Sequence, residues 1–92
     1  MDSQKQYTEQ KIQQVIKDYI LRDIMYEMSD ITLVNDLPLI QNRILDSMSM
    51  LKLQSFLEEE FNLTINPEEV LPENFETVNN LTSFVMGKLN VV

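Results

Sequence analysis

The chain has 92 residues, 15 of them acidic and 7 basic, for a net charge of −8, and it contains neither histidine nor cysteine. That length holds one small domain, residues 1–92, and without cysteine there is no disulfide framework and no thiolate metal site, so apolar burial must hold the fold. The negative charge repels phosphate backbones and argues against nucleic acid, and a chain lacking both the commonest general base and a strong thiol nucleophile reads as non-catalytic.

A hydrophobic fraction of 43% with 24% charged residues is that of a packed globule. No apolar run approaches the roughly 18 to 20 residues of a membrane span. The polar start MDSQKQYTEQ lacks the hydrophobic stretch of a signal peptide, so a cytoplasmic monomer is expected.

The first element predicted is an amphipathic helix over residues 8–22. Thr8 is its N-cap, Glu9 sits in its first turn, and Ile12, Val15, Ile16, Tyr19 and Ile20 form its stripe. From 23 to 45 the period is lost. Ile24, Met25, Ile31, Leu33, Val34, Leu37, Leu39, Ile40, Ile44 and Leu45 are scattered around turn-prone Asn35, Asp36 and Pro38, which reads as a long loop pinned by apolar anchors. Loops of that length in compact domains tend to be functional. Asp23, Asp30 and Asp36 lie in it without the EF-hand spacing, central Gly or terminal Glu, so no metal is expected.

A second helix follows, capped by Asp46 or Ser47 and ending near Asn62. At ~100° per residue, Met50, Leu53, Leu57 and Phe61 share the arc that should enter the core. Met48, Leu51, Lys52, Ser55 and Glu59 lie nearly opposite, which leaves two apolar side chains without an intramolecular partner. Two exposed apolar residues prove little alone. Placed in the first turns after a capping Ser and ringed by Lys52, Glu58 and Glu59, they read as a small docking patch with a charged rim. Methionine suits a surface that fits several partners.

After an extended piece at 63–65, Asn66-Pro67-Glu68-Glu69 and Pro72-Glu73-Asn74 each read as a turn opening a brief helix with Pro at its start. Thr77 then caps a last helix in which Val78, Leu81, Val85 and Leu89 align.

Leu45-Asp46-Ser47-Met48, followed at set spacing by Leu57-Glu58-Glu59-Glu60-Phe61 and then by the PENFETV segment, resembles the phosphopantetheine-binding carrier proteins, the acyl and peptidyl carriers. The resemblance covers nearly the whole chain. It implies an all-α, acyl-carrier-like four-helix bundle, three main helices and one short, with a long loop between the first two. It also implies that Ser47, which by itself would be read as a simple helix cap, carries a 4'-phosphopantetheine arm derived from coenzyme A. Asp46 would then help a phosphopantetheinyl transferase recognise the site, and Met48, Leu51, Lys52, Ser55 and Glu59 would dock partners, with loop residues Leu39, Ile40 and Ile44 extending the face.

Fatty-acid carriers usually have an acidic residue where this chain has Lys52, and a Gly shortly before the Asp-Ser pair, where it has Asn42-Arg43-Ile44-Leu45; Asn42 can adopt the turn geometry a Gly would give. The stretches ITLVNDLPLIQNRILDSM and PENFETVNNLTSFV are similar to discrete carriers loaded by a free-standing adenylation enzyme, most of all the prolyl and pyrrolyl carriers of pyoluteorin-type and anatoxin-type assembly. For those the family implies a proline-activating ligase, a flavin-dependent dehydrogenase of the acyl-CoA-dehydrogenase type that oxidises the bound ring, and a downstream ketosynthase or condensation enzyme. The competing readings are an acyl carrier for fatty-acid or polyketide chains and, from another class, a non-carrier acidic helical adaptor in which Ser47 is only a cap.

Overall fold

The first helix begins where Thr8 accepts the Lys11 N–H on its hydroxyl at 3.1 Å, which satisfies one of the unpaired first-turn donors. The computed structural model describes residues 7–28 and 30–89; most of the polar start read above, residues 1–6, lies outside them. Helix α1 spans Glu9–Tyr19 and buries Ile12 and Ile16 completely. The predicted helix to about 22 then takes a different form. A π-turn over Ile20–Ile24 continues it, closed by the Met25 N–H donating to the Ile20 carbonyl at 2.7 Å. One wide turn accommodates the extra residue that ended the 3.6-residue period, so Ile20 and Met25 both reach the core while Leu21 stays exposed.

The long loop is anchored as expected. Leu33, Leu39, Ile44 and Leu45 are buried, and the Leu39 N–H donates to the Glu76 carbonyl at 2.7 Å. Asn35 ties the same stretch to both outer helices: its side-chain amide donates to Gln13 at 3.2 Å and its carbonyl accepts the Asn79 N–H at 2.9 Å. The left-handed residue in the turn before the Asp-Ser pair is Arg43, with φ 60°, and not Asn42. Asn42 braces that turn instead, donating from its side chain to the Pro38 carbonyl at 2.7 Å.

Helix α2, Ser47–Phe61, stops at Asn62, whose φ of 54° is the left-handed C-cap that Asn tolerates. The chain returns through a 3₁₀ turn at Pro67–Glu69 into the short α3, Pro72–Phe75, and the closing α4, Val78–Leu89. Both prolines stand at the start of their turns, where a missing N–H costs nothing. Thr77 caps α4 by accepting the Asn80 N–H at 3.0 Å. The Glu69 carboxylate accepts from the Asn66 N–H at 2.9 Å and from Lys88 at 2.8 Å, pinning the 3₁₀ turn to the end of α4.

All regular structure among the described residues is helical, and the four helices form the expected bundle. α1 packs along α4, and α3 closes on α4 with Phe75 buried 6.1 Å from Phe84. Leu53, Leu57 and Phe61 of α2 share one core with Ile12, Ile16 and Ile20 of α1 and Val78, Leu81 and Val85 of α4. Met50, expected on the same stripe, is half-buried at its edge. Two aromatic contacts fasten α1 and the residue before its cap to α2: Tyr7 meets Phe61 edge-on at 5.0 Å, and Tyr19 stacks on Phe56 at 4.0 Å.

Candidate functional site

The sequence left the cap of α2 open between Asp46 and Ser47, and the geometry assigns it to Asp46. In extended conformation, Asp46 accepts the Ser49 N–H on Oδ1 at 2.9 Å, while Ser49 Oγ accepts the Asp46 N–H at 2.8 Å. This reciprocal pair fixes the entry angle of the helix. The Ser49 N–H, then the Ser49 hydroxyl, holds the Asp46 carboxyl below the usual carboxylate range. Asp46 thus stays ionised beside the helix start.

With capping done by its neighbour, Ser47 is the exposed first residue of α2, and its hydroxyl makes no hydrogen bond among the described residues. Unpaired first-turn N–H groups and the positive end of the helix dipole favour an anion attached there. An outward hydroxyl at such a point can accept a phosphoryl group without disturbing the fold.

The five α2 residues assigned to a docking face beside it are all exposed. Met48 is 67% and Leu51 58% exposed, and Lys52, Ser55 and Glu59 are exposed on the same side of α2. Ile44 and Leu39 do not extend it. They are 3% and 0% exposed, because the left-handed turn at Arg43 folds Ile44 and Leu45 inward and both donate their N–H to the Leu39 carbonyl, at 2.9 and 3.1 Å. Ile40 is half-buried against the core. Glu58, read as part of the charged rim, is drawn away to accept the Ile65 N–H at 2.8 Å.

Two open depressions flank this face. One, of about 260 Å³, borders Asp46 and Met48 and is walled by Tyr26, Met28 and Arg43. The other, of about 470 Å³, lies further along α2 between Ser55, Glu59, Phe56 and Tyr19. Asp23 and Lys52 line both. Sequence reading missed this second wall, made by the π-turn and the residues after it. Its one signal was Tyr26, an aromatic in the aperiodic stretch after Arg22 that proves to be 70% exposed. Burial, and after it the Asp23 carboxylate, pushes the Tyr19 hydroxyl above its ordinary value, against the opposing charge of Arg22. Asp23, Asp30 and Asp36 do not converge: among the described residues no group of three or more His, Cys, Asp or Glu is placed to hold a metal.

No family model matches the chain. Over 45 residues, 49% of its length, the chain is 44% identical to Aminoacyl carrier protein 1 of Bradyrhizobium diazoefficiens, and that match spans half the length of the relative. A solved chain in a structure described as "Crystal structure of FAD-dependent dehydrogenase" superposes with a TM-score of 0.69 at 30% identity. The likeness covers 76% of this chain and 97% of that one, so the solved chain is the shorter of the two.

Proposed function

We propose that this chain is an aminoacyl carrier, its likeness to an aminoacyl carrier protein supporting a carrier-protein family, and that it bears a 4'-phosphopantetheine arm on Ser47. The observation that carries this is the division of labour at the start of α2: Asp46 does the capping, and Ser47 presents an unengaged hydroxyl to solvent. When attached, the arm supplies the thiol that a cysteine-free chain lacks and on which an amino acid is held as a thioester.

The chain's own residues hold and present. The Asp46–Ser49 pair orients the first turn and keeps an ionised carboxylate next to the hydroxyl for a phosphopantetheinyl transferase to read. Met48 and Leu51 offer apolar contact to successive partners, while Lys52, Ser55 and Glu59 set register by charge and hydrogen bonding. No His or Cys stands near a thioester to hydrolyse it.

The partners in this reading are the transferase, an adenylation enzyme that loads the amino acid, a flavin-dependent dehydrogenase, and a downstream ketosynthase or condensation enzyme. The small helical chain found like this one in an FAD-dependent dehydrogenase crystal supports the third of these. Proline is the cargo in this reading, its saturated ring being a substrate such an oxidant can act on. The setting is cytoplasmic, where coenzyme A and adenylating ligases operate.

Intact-protein mass tests the reading. Incubation with a broad-specificity phosphopantetheinyl transferase and coenzyme A should add one arm to the wild type and none to Ser47→Ala. Equal masses for the two would overturn it. Loading assays with proline, alanine and a fatty acid then distinguish an aminoacyl from a fatty-acyl or polyketide carrier.

A further inference from the structure

We propose that Met48 is a reversible oxidation site, where hydrogen peroxide converts the thioether to a sulfoxide that folds into the depression beside it and takes an apolar contact off the docking face. This rests on the carrier reading above and adds to it a modification and a way of switching docking off.

In a chain without cysteine, the six methionines are the oxidisable sulfurs. Five of them lie among the described residues. Met25 is 4% exposed, and Met28, Met50 and Met86 are partly buried against the core. Met48, at 67%, stands out in water. Access decides susceptibility, so a dissolved oxidant meets Met48 ahead of those four.

The step needs only the sulfur and the peroxide. A sulfur lone pair bonds one peroxide oxygen, the O–O bond breaks, and the other oxygen leaves as water after a proton shift. Sulfur is oxidised by two electrons and the peroxide is reduced by two. A polar, chiral side chain with a strong hydrogen-bond acceptor then stands where an apolar one stood.

The surroundings of Met48 give that acceptor a place to go. Met48 lines the depression of about 260 Å³ together with Tyr26, Arg43 and Lys52. Those three bring a phenol O–H, a guanidinium and an ammonium. The two carboxylates of the same depression are engaged elsewhere: Asp46 accepts from Ser49, and Asp23 accepts from Arg22, which lies outside the depression. Donors therefore outnumber the acceptors left to them, and the depression suits a sulfoxide oxygen better than a thioether. Folded inward, the oxidised side chain withdraws its apolar surface from the face it shares with Leu51 and leaves a polar first turn directly after Ser47.

The test is graded hydrogen peroxide on the arm-free protein, followed by peptide mass mapping of the methionines and by initial rates of arm addition with transferase and coenzyme A. Oxygen should enter Met48 about fivefold or more ahead of Met25, Met28, Met50 and Met86. Protein oxidised at Met48 alone should gain the arm at least about threefold more slowly than untreated protein, and methionine sulfoxide reductase should restore the rate. The Arg43 side-chain N–H signal should shift when the wild type is oxidised. In Met48→Leu, peroxide should change neither that signal nor the variant's own rate. Oxygen entering Met28 or Met50 as early as Met48, an unchanged rate for the singly oxidised protein, or an Arg43 signal that stays in place would each overturn the inference while leaving the carrier reading intact. Failure of the untreated protein to gain the arm at all would overturn both, and its mass separates that outcome from the others.

Discussion

The phenol ring of Tyr19 lies almost flat on the ring of Phe56, 4.0 Å between centroids and 13° between planes. This joins the last turn of α1 to the middle of α2 at the point where the helix loosens into its π-turn. Stacked rings contribute about 0.5–1.5 kcal/mol beyond the area they bury. Phe56→Ala should therefore cost about 1–3 kcal/mol in urea denaturation. A double-mutant cycle with Tyr19→Ala should return a coupling of about 0.5–1.5 kcal/mol. Additive single-site costs would show that the two helices are held by the core alone.

The two faces of α2 should separate folding from docking. Leu53 and Leu57 are wholly buried, so each substitution by Ala should lower stability by about 2–5 kcal/mol. Met48→Glu and Leu51→Glu replace exposed side chains and should change stability by no more than about 0.5 kcal/mol while slowing transferase modification or subsequent loading. Denaturation midpoints read the first effect, and initial rates of mass gain the second.

Acid should weaken the start of α2 and the 3₁₀ corner together. Asp46 and Glu69 both have carboxyls held below their ordinary values, Asp46 by Ser49 and Glu69 first by Lys88 and then by the Asn66 N–H. A carboxyl whose folded value is depressed contributes stability above its unfolded value and loses it as pH falls through the folded one. Wild type should therefore lose more stability than Asp46→Asn or Glu69→Gln as the pH drops below the ordinary carboxylate range. Thermal melts at stepped pH measure this, and parallel curves for the three proteins would refute it.

Arg43 holds a left-handed backbone at the turn into α2, where an L side chain costs roughly 1–2 kcal/mol. Arg43→Gly relieves that cost, offset in part by the greater freedom glycine gives the unfolded chain, and should leave stability unchanged or raised by up to about 1 kcal/mol. A β-branched Arg43→Val should destabilise by about 1–2 kcal/mol. Denaturation of both variants against wild type decides it.

Caps and prolines made the ends of the helices legible. Thr8, Asn62, Pro67, Pro72 and Thr77 each act through their own backbone or through groups no more than four residues away, and all stand where their local chemistry put them. The second face of α2 was legible for the same reason, since helical period is a local property. What escaped depends on bonds that reach back across an irregular turn, outside any helical period. Nothing near Ile44 announces that its N–H will turn back to Leu39, and nothing near Glu58 announces the Ile65 N–H. The π-turn was visible only as a lost period, because an extra residue per turn looks in sequence like the end of a helix. The wall that α1 and its π-turn give to both depressions was hidden with it.

Leu39 receives Ile44 and Leu45 on its carbonyl and gives its own N–H to Glu76, beyond the end of α3. Mechanically, this cuts the long connection in two and bolts its second half to the corner between α3 and α4. Ser47 follows that bolt by only two residues. A load applied at the start of α2 would therefore be met by a post set in the α3–α4 corner as well as by the Asp46–Ser49 pair.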